Sequence, residues 1–306
     1  MPCALVMMPD FLKKAIAPYA DGCGAVYEIR CRVNNPVFLQ TDQGEVMVRE
    51  ENKPYILSET QMDELLACLC NHSIYAYEDA LRNGYFTIEG GHRVGVAGQV
   101  ILGGKEIRNL KYIRFITIRI AHQIKGVARP VLQHLYAKNK VRNTLIISPP
   151  GCGKTTMLRD LIRLVSNGSG YGQGLSVGVV DERMELSGCY MGVPQNDVGI
   201  RTDVLQGCSK EKGIMMLIRS MAPDVIGVDE VGSGEDYRAL LVAACCGIGV
   251  LATMHGEGIK DYIDRFSLFD EAMEGRQIFE RFVILEKRKQ QFMIKEILDA
   301  SFHKFS

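Results

Sequence analysis

One stretch decides the fold of this 306-residue chain: LIISPPGCGKTT, residues 145–156. The apolar residues at its start predict a buried strand, and apolar residues at helical spacing from Met157 to Val165 predict a helix after it. A glycine-rich loop between a strand and a helix presents successive backbone N–H groups at a helix N-terminus, where an anion is favoured. The order strand, loop, helix therefore predicts a phosphate-binding loop.

We predict that the residues of this loop surround the phosphates of a nucleotide: Ser148, Pro149, Pro150, Gly151, Cys152, Gly153, Lys154, Thr155 and Thr156. Lys154 is expected to reach the β- and γ-phosphates as a catalytic charge, and Thr155 to place its hydroxyl on Mg²⁺. Ser148 stands where this type of loop usually has glycine, and serine tolerates fewer backbone conformations. Because Gly151 and Gly153 remain next to the phosphates, we expect nucleotide binding to survive.

A strand that ends in two carboxylates completes the predicted site. The apolar residues 225–228 run directly into Asp229 and Glu230. We expect Asp229 to be a Mg²⁺ partner, directly or through water. Glu230 is then the catalytic group that polarises water for in-line attack on the γ-phosphate.

Two further polar clusters follow predicted strands. Asp181 and Glu182 come after the apolar residues 177–180, and Thr253 and His255 end a later strand. Ligand sites of open α/β sheets lie at such strand ends. We therefore expect Asp181 or Glu182 to position metal or water, and Thr253 and His255 to sense the γ-phosphate. The alternative interpretation of each cluster is a solvated strand end.

The order of strands and helices predicts an α/β protein of two domains. Residues 1–122 indicate a smaller α+β domain, with a capping box at Ser58–Gln61 and a hairpin turn at Gly90-Gly91. In residues 127–306, strands alternate with helices, which is typical of a mainly parallel sheet covered on both faces. We expect its strands at 144–148, 176–181, 225–229 and 250–253, with a terminal antiparallel pair around 282–286 and 292–297.

Composition excludes several classes of protein. With 47% hydrophobic and 24% charged residues, the chain is not disordered. The 36 basic residues balance 36 acidic ones, so there is no strong signal for nucleic acid or anionic lipid. The ten cysteines are scattered in a chain that needs no bridging, and the first residues lack the basic region of a signal peptide. We therefore expect reduced thiols and a cytoplasmic protein.

The motifs together resemble a known family. The phosphate loop, Asp181-Glu182-Arg183, the stretch 219–224 and Thr253-Met254-His255 resemble the secretion-type ATPases of the RecA-like class, which drive type II and type IV secretion. More narrowly, residues 10–300 are similar to the stage III sporulation protein AA family of endospore-forming bacteria. The stretches 28–37 and 90–98 carry the N-terminal part of that similarity.

This resemblance implies a RecA-like P-loop NTPase core, and an ATPase that uses ATP and Mg²⁺ to power or assemble a membrane transport channel during sporulation. It implies a protein held at the membrane through membrane proteins of that channel. It also implies a homo-oligomeric ring, commonly a hexamer, in which a neighbouring subunit supplies an arginine to the transition state. The candidates for that arginine are Arg93, Arg114, Arg119, Arg201 and Arg219.

Two other functions stay open on the sequence. RecA-like cores also move nucleic-acid strands, so a nucleotide-dependent nucleic-acid motor is one alternative. The balanced charge and the absence of tryptophan argue against it. The other alternative is a nucleotide-binding scaffold with low turnover, which would explain Ser148 in place of glycine.

Overall fold

The computed structural model describes residues 7–20, 25–104, 106–137, 140–267, 277–288 and 291–305. The chain divides into two compact units. The first contains the described residues up to His122 together with Gly188–Gln195, and the second contains Gln123–Ser187 and the described residues from Asn196 onward. That these two units are independently folding domains remains a prediction from the sequence. No feature of the sequence pattern indicates that Gly188–Gln195 belongs to the first unit.

The first unit combines an antiparallel sheet with short helices. Its sheet has the strand order β3-β2-β1-β8-β7-β6, and β4 pairs with β5. In chain order the strands are β1 (Val26–Arg32), β2 (Phe38–Thr41), β3 (Gly44–Met47), β4 (Arg49–Glu50), β5 (Lys53–Pro54), β6 (Tyr85–Ile88), β7 (His92–Gly103) and β8 (Glu106–Arg119). The helices are α1 (Asp10–Ala20), α2 (Glu59–Leu69) and α3 (Glu78–Arg82), with a 3₁₀ turn at Ile74–Tyr77 before α3.

Two local signals in the first unit are confirmed. The Ser58 hydroxyl accepts a hydrogen bond from the Gln61 backbone N–H, and the Gln61 side chain accepts one from the Ser58 N–H, which is the predicted capping box of α2. Gly90 and Gly91 have φ values of 83° and 74° in the turn between β6 and β7. Glycine adopts this left-handed conformation at no steric cost, so the pair favours a tight hairpin.

The longest hairpin of the first unit extends further than its sequence indicates. Its second strand, β8, begins at Glu106, before the regularly spaced apolar residues that start at Ile113. Strands β7 and β8 continue to pair with each other past the residues where β7 also pairs with β6 and β8 with β1. One such pair is Val100–Leu110. Such a ribbon has no buried face of its own, so it lacks the alternation of apolar residues that reveals a strand.

The second unit is built on a seven-stranded sheet with the order β13-β12-β14-β15-β11-β16-β17. Its pairs are parallel, except that β17 runs antiparallel to β16. The strands are β9 (Tyr136–Ala137), β10 (Lys140–Val141), β11 (Thr144–Ser148), β12 (Val177–Asp181), β13 (Thr202–Gln206), β14 (Val225–Val228), β15 (Gly249–His255), β16 (Arg281–Arg288) and β17 (Gln291–Leu298), of which β9 and β10 form a separate pair. The helices are α4 (Arg129–Leu135), α5 (Lys154–Asn167), α6 (Lys210–Ser220), α7 (Gly234–Cys245) and α8 (Ile259–Ser267).

Both faces of this sheet are buried. In β11, Leu145 and Ile147 belong to a core with residues of α6, α7 and α8, whereas Ile146 belongs to a core with residues of α4 and α5. This arrangement explains the uninterrupted apolar runs of the strands, and it confirms the predicted parallel sheet with its terminal antiparallel pair. Strand β13 was not predicted, because every residue of Thr202–Gln206 is only partly buried and its pattern is mixed.

Two features of the described residues bear on the thiols and on membranes. Eight of the cysteines lie in the described residues; four of these are buried, while Cys245 and Cys246 are exposed. Within the described part of the chain, no helix has both the length and the apolar character that crossing a bilayer requires. The uncharged run from residue 239 to 254 forms the end of α7 and most of β15.

Candidate nucleotide-binding site

The parallel register brings most of the predicted site residues to one edge of the second unit's sheet. Ser148, at the end of β11, lies opposite His255 at the end of β15. Strand β14 pairs with β15 on its other side, so Asp229 follows at the same edge. Asp181 ends the neighbouring strand β12. This edge holds the carboxyl ends of the strands, where ligands of open α/β sheets bind.

The loop between β11 and α5 has the conformation that its glycines allow. Gly151 and Gly153 have left-handed φ values of 70° and 77°. A Cβ atom added at Gly151 would meet open space, so this side of the loop can face a ligand. Helix α5 begins at Lys154, and no described side chain caps it. The first backbone N–H groups of α5 are therefore available to an anion.

Ser148 fits the start of the loop without strain. The residue is fully buried and in register with β15, and its φ is not in the left-handed region. Its hydroxyl donates a hydrogen bond of 2.9 Å to the Pro149 carbonyl. The position that usually holds glycine therefore does not require one in this chain.

Phe292 is a neighbour of the loop that the sequence analysis missed. A Cβ atom added at Gly153 would lie 2.5 Å from the Phe292 ring, so glycine is needed for this close approach. Phe292 lies on β17, far along the chain, and one aromatic residue in a strand carries no signal of such a contact. Cys152 beside Gly153 is buried, so its side chain points away from solvent.

Three oxygen-bearing side chains meet where the sequence predicts magnesium. The Thr155 hydroxyl donates to Asp229 Oδ2 at 2.6 Å, and the Thr253 hydroxyl donates to Asp229 Oδ1. Hydroxyl and carboxylate oxygens are ligands that suit Mg²⁺, which is usually bound by one or two carboxylates together with substrate phosphates. The described residues hold no cluster of three or more His, Cys, Asp or Glu side chains placed for a metal. One carboxylate with two hydroxyls fits a magnesium ion whose remaining ligands are phosphate oxygens and water.

Basic side chains surround the second carboxylate of the pair. Lys154, which is only 6% exposed, places Nζ 3.4 Å from Glu230 Oε1 and 3.1 Å from His255 Nε2. His255 Nε2 lies 3.0 Å from the same Glu230 oxygen. Arg183 Nη1 lies 2.5 Å from the other oxygen, Oε2. We call Lys154, Arg183 and His255 the basic cluster.

The basic cluster changes the acidity of Glu230. Partial burial acts to raise the pKa of Glu230, but the hydrogen bond to His255 and the charges of Arg183 and Lys154 outweigh it, so the pKa lies below its ordinary value. A carboxylate with a lowered pKa is a weak base. In this arrangement Glu230 is held as an ion-pair partner.

The backbone of Glu230 is itself unusual. Its φ is 56°, which is rare for a residue other than glycine. The Glu230 N–H donates to Thr253 Oγ1 at 2.8 Å, and the Val231 N–H donates to the Thr253 carbonyl at 2.8 Å. Such conformations persist only where surrounding contacts enforce them, and they concentrate at functional sites.

Asp181 makes different contacts from those expected of a ligand. It is buried, and its carboxylate accepts hydrogen bonds from the backbone N–H groups of Glu185, Leu186 and Ser187 and from the Ser187 hydroxyl. These four hydrogen bonds use the acceptor capacity of the carboxylate. Asp181 therefore anchors the loop after β12 and has little capacity left for a metal or a water.

Glu182 lies outside the contacts of the basic cluster. It forms an ion pair with Lys210, the first residue of α6, whose side chain is buried. Its carboxylate remains 40% exposed. The structure thus brings Lys154, Thr155, Asp229, Glu230, Thr253 and His255 together, while Glu182 has a separate cation.

The five arginines proposed for a neighbouring subunit have other surroundings. Arg183, which the sequence analysis quoted only within a motif, is the arginine in contact with Glu230. Of the five, Arg93 stacks over Tyr85 at 3.7 Å, Arg114 pairs with Glu59 and Asp63, Arg119 pairs with Glu28, Arg201 donates to the Ser166 carbonyl at 3.0 Å, and Arg219 is exposed near the end of α6.

A cavity of about 530 Å³ lies at the opposite edge of the same sheet. Asn143, Asp224 and Gly249 line it, and each stands at the amino end of a strand. The cavity is therefore separate from the phosphate loop, which lies at the carboxyl ends.

Comparison with known proteins gives consistent relatives. A family described as "Sporulation stage III, protein AA" matches residues 10–304. The stage III sporulation protein AA of Bacillus subtilis (strain 168) is 40% identical over 297 residues, which are 96% of this chain and 93% of that protein. The pattern of motifs had led us to expect this family.

Two solved structures share the fold. The Legionella pneumophila ATPase DotB has a TM-score of 0.63 and 17% identity, covering 95% of this chain and 83% of its own. The pilus retraction motor PilT, solved with bound ADP, has a TM-score of 0.63 and 16% identity, covering 94% and 81%. These likenesses confirm the expected fold class, a RecA-like P-loop NTPase core with an N-terminal α+β domain. By sequence along nearly its whole length, the chain belongs to the stage III sporulation protein AA family.

Proposed function

We propose that this chain is an ATP hydrolase that uses Mg²⁺ and powers or assembles a membrane transport channel during sporulation. The observation that carries the proposal is the convergence of Lys154 and Thr155 with Asp229 and Glu230 at the carboxyl edge of the sheet. A charged group for phosphates, oxygens for magnesium and a carboxylate beside them are the parts that phosphoryl transfer to water needs.

Each residue has a separate task in this proposal. The backbone N–H groups of residues 151–156 and the Lys154 ammonium would bind the phosphates, while Thr155 and Asp229 would hold Mg²⁺. Magnesium bound there would neutralise charge on the phosphates. Glu230 would polarise the attacking water, and it must first lose part of its pairing with the basic cluster, because that pairing lowers its pKa.

The two remaining predicted residues would assist. His255 contacts both Lys154 and Glu230, so it is placed to respond when phosphate replaces one of these partners. Glu182 would position water from the end of β12, although its ion pair with Lys210 must then open or tilt. Both roles are proposals that substitution can test.

The cellular part of the proposal rests on the family. Membership in the sporulation family supports a role in sporulation, and the fold shared with the ATPase DotB and the pilus retraction motor PilT supports an ATP-driven motor for a channel. We propose that the chain works in the cytoplasm as a homo-oligomeric ring, commonly a hexamer. It would be held at the membrane through membrane proteins of the channel, with an arginine from the neighbouring subunit completing the site.

The test is the ATPase rate of the full chain as a function of protein concentration, with the mass of the assembly measured in parallel. If a neighbour completes the site, the rate per chain rises as the oligomer forms, and Lys154→Ala removes the activity at every concentration. A wild-type chain that assembles and binds ATP without releasing phosphate would contradict hydrolysis and favour a scaffold. Stimulation by DNA or RNA that falls with added salt would favour a nucleic-acid motor.

A further inference from the structure

Arg183 takes no part in the nucleotide site predicted from the sequence. Its side chain is 63% exposed, yet it extends to Glu230, a residue that lies on another strand end. An isolated exposed ion pair contributes little to stability, because water and salt screen it. The position of Arg183 in the fold therefore needs a reason other than stability.

The reason lies in the other contacts of the same carboxylate. Oxygen Oε1 of Glu230 faces Lys154 and His255, and Oε2 faces Arg183. Three basic side chains thus converge on a single carboxylate. Lys154 is also the group that a loop of this type directs at the β- and γ-phosphates. The Glu230 carboxylate, 3.4 Å from the Lys154 ammonium, is therefore an anion in direct competition with phosphate oxygens for the same cation.

We infer that Arg183 binds the γ-phosphate of the nucleotide within its own chain, and that it does so by exchanging the Glu230 carboxylate for phosphate oxygens. This inference rests on the proposed function. The guanidinium suits the exchange because its planar N–H groups bind carboxylate and phosphate in the same two-pronged manner. Its exposed position at the carboxyl edge leaves the side chain free to turn from one anion to the other.

The exchange also couples binding to chemistry. While Arg183 and Lys154 hold Glu230, cations occupy both of its carboxylate oxygens. When the triphosphate takes over these cations, the Glu230 oxygens are released and can accept a hydrogen bond from water. A diphosphate has no γ-phosphate to attract Arg183, so it leaves the pair with Glu230 closed. Arg183 therefore discriminates between triphosphate and diphosphate.

The experiment compares two fluorescent nucleotides, mant-ADP and the non-hydrolysable mant-AMP-PNP, on the full chain with Mg²⁺. In Arg183→Ala the affinity for mant-AMP-PNP falls about 10-fold or more, since hydrogen bonds to charged groups contribute about 1.5–3 kcal/mol. The affinity for mant-ADP stays within about twofold, because only the γ-phosphate contact is removed. Arg183→Lys restores part of the loss. Arg129→Ala, which removes an exposed arginine on α4, is the matched control and leaves both affinities unchanged.

A second variant tests the exchange itself. Glu230→Gln removes the anion that competes for both cations, so it tightens mant-AMP-PNP binding more than mant-ADP binding, which can gain only through Lys154. Adding Glu230→Gln to Arg183→Ala tightens mant-AMP-PNP binding less than adding it to the wild type, because Arg183 is no longer there to be released. Urea unfolding of each variant excludes loss of the fold as the cause.

The outcomes separate this inference from the proposed function. If the wild type binds both nucleotides and Arg183→Ala leaves the ratio of the two affinities unchanged, Arg183 does not contact the γ-phosphate and the inference is wrong. An equal loss for both nucleotides also contradicts it. A wild type that binds neither nucleotide overturns the proposed function, and this inference with it.

Discussion

Strands β12 and β14 both lead into an Asp-Glu dipeptide at their carboxyl ends, and the two dipeptides have different environments. Asp229 accepts hydrogen bonds from the hydroxyls of Thr155 and Thr253, whereas Asp181 accepts them from backbone N–H groups of the loop that follows it. Glu230 faces the basic cluster, whereas Glu182 faces Lys210. The comparison teaches that an acidic strand end becomes a candidate site only when the neighbouring strand and loop present complementary groups to it.

The largest difference between the two dipeptides should be in catalysis. We expect Glu230→Gln to lower the rate of phosphate release about 10³-fold, within the range for loss of a general base. Glu182→Gln should lower it by less than about 10-fold, because that carboxylate is partly exposed and paired elsewhere. Phosphate release by the oligomer at saturating Mg-ATP measures both. Equal losses would show that the two glutamates share the task.

The lysines that pair with the two glutamates should differ in their contribution to nucleotide affinity. Lys154 and Lys210 are 6% and 7% exposed, and each pairs with the glutamate of one dipeptide. Lys154→Ala should weaken mant-ATP binding about 100-fold or more, since a charge-assisted contact to phosphate is lost. Lys210→Ala should change it less than about threefold, because Lys210 faces no phosphate. Titration by fluorescence checks this, and comparable losses would place the phosphates between both lysines.

The two aspartates should differ in their contribution to the free energy of unfolding, and here Asp181 should contribute more than Asp229. Asp181→Ala leaves the N–H groups of the loop after β12 without acceptors, so the free energy of unfolding should fall by about 3 kcal/mol. Asp229→Ala should cost only about 1 kcal/mol, because the hydroxyls of Thr155 and Thr253 can rotate to other partners. Urea unfolding without nucleotide measures both. A larger loss for Asp229→Ala would contradict the anchoring role of Asp181.

The smallest expected effect is a dependence of stability on pH. The folded pKa of Glu230 is below its ordinary value of 4.5, so the stability that its charge contributes is present above that value. This contribution is lost as the pH falls through the lower folded pKa. The difference in unfolding free energy between wild type and Glu230→Gln should therefore narrow between about pH 6 and pH 3. A difference that stays constant would show that the basic cluster does not stabilise the ionised form.

The sequence by itself determined the buried strands of the central sheet and the position of the glycine-rich loop between a strand and a helix. Uninterrupted apolar strands, glycines at the required positions and a lysine at the start of a helix act over a few residues, so their pattern is visible along the chain. The same holds for the capping box of α2 and for the turn at Gly90-Gly91, both of which depend on neighbours in sequence.

Only the tertiary structure decided which polar groups meet. The contacts of Glu230 with Arg183 and of Gly153 with Phe292 join residues far apart in the chain, and they depend on strand order and register. The segment Gly188–Gln195 belongs to the first unit for the same reason, as shown by the hydrogen bond of 2.8 Å from the Gly90 N–H to the Gln195 side chain. Local patterns encode strands and turns, because these form between near neighbours. A carboxylate becomes an anchor or a candidate base according to the charges and donors that folding places around it.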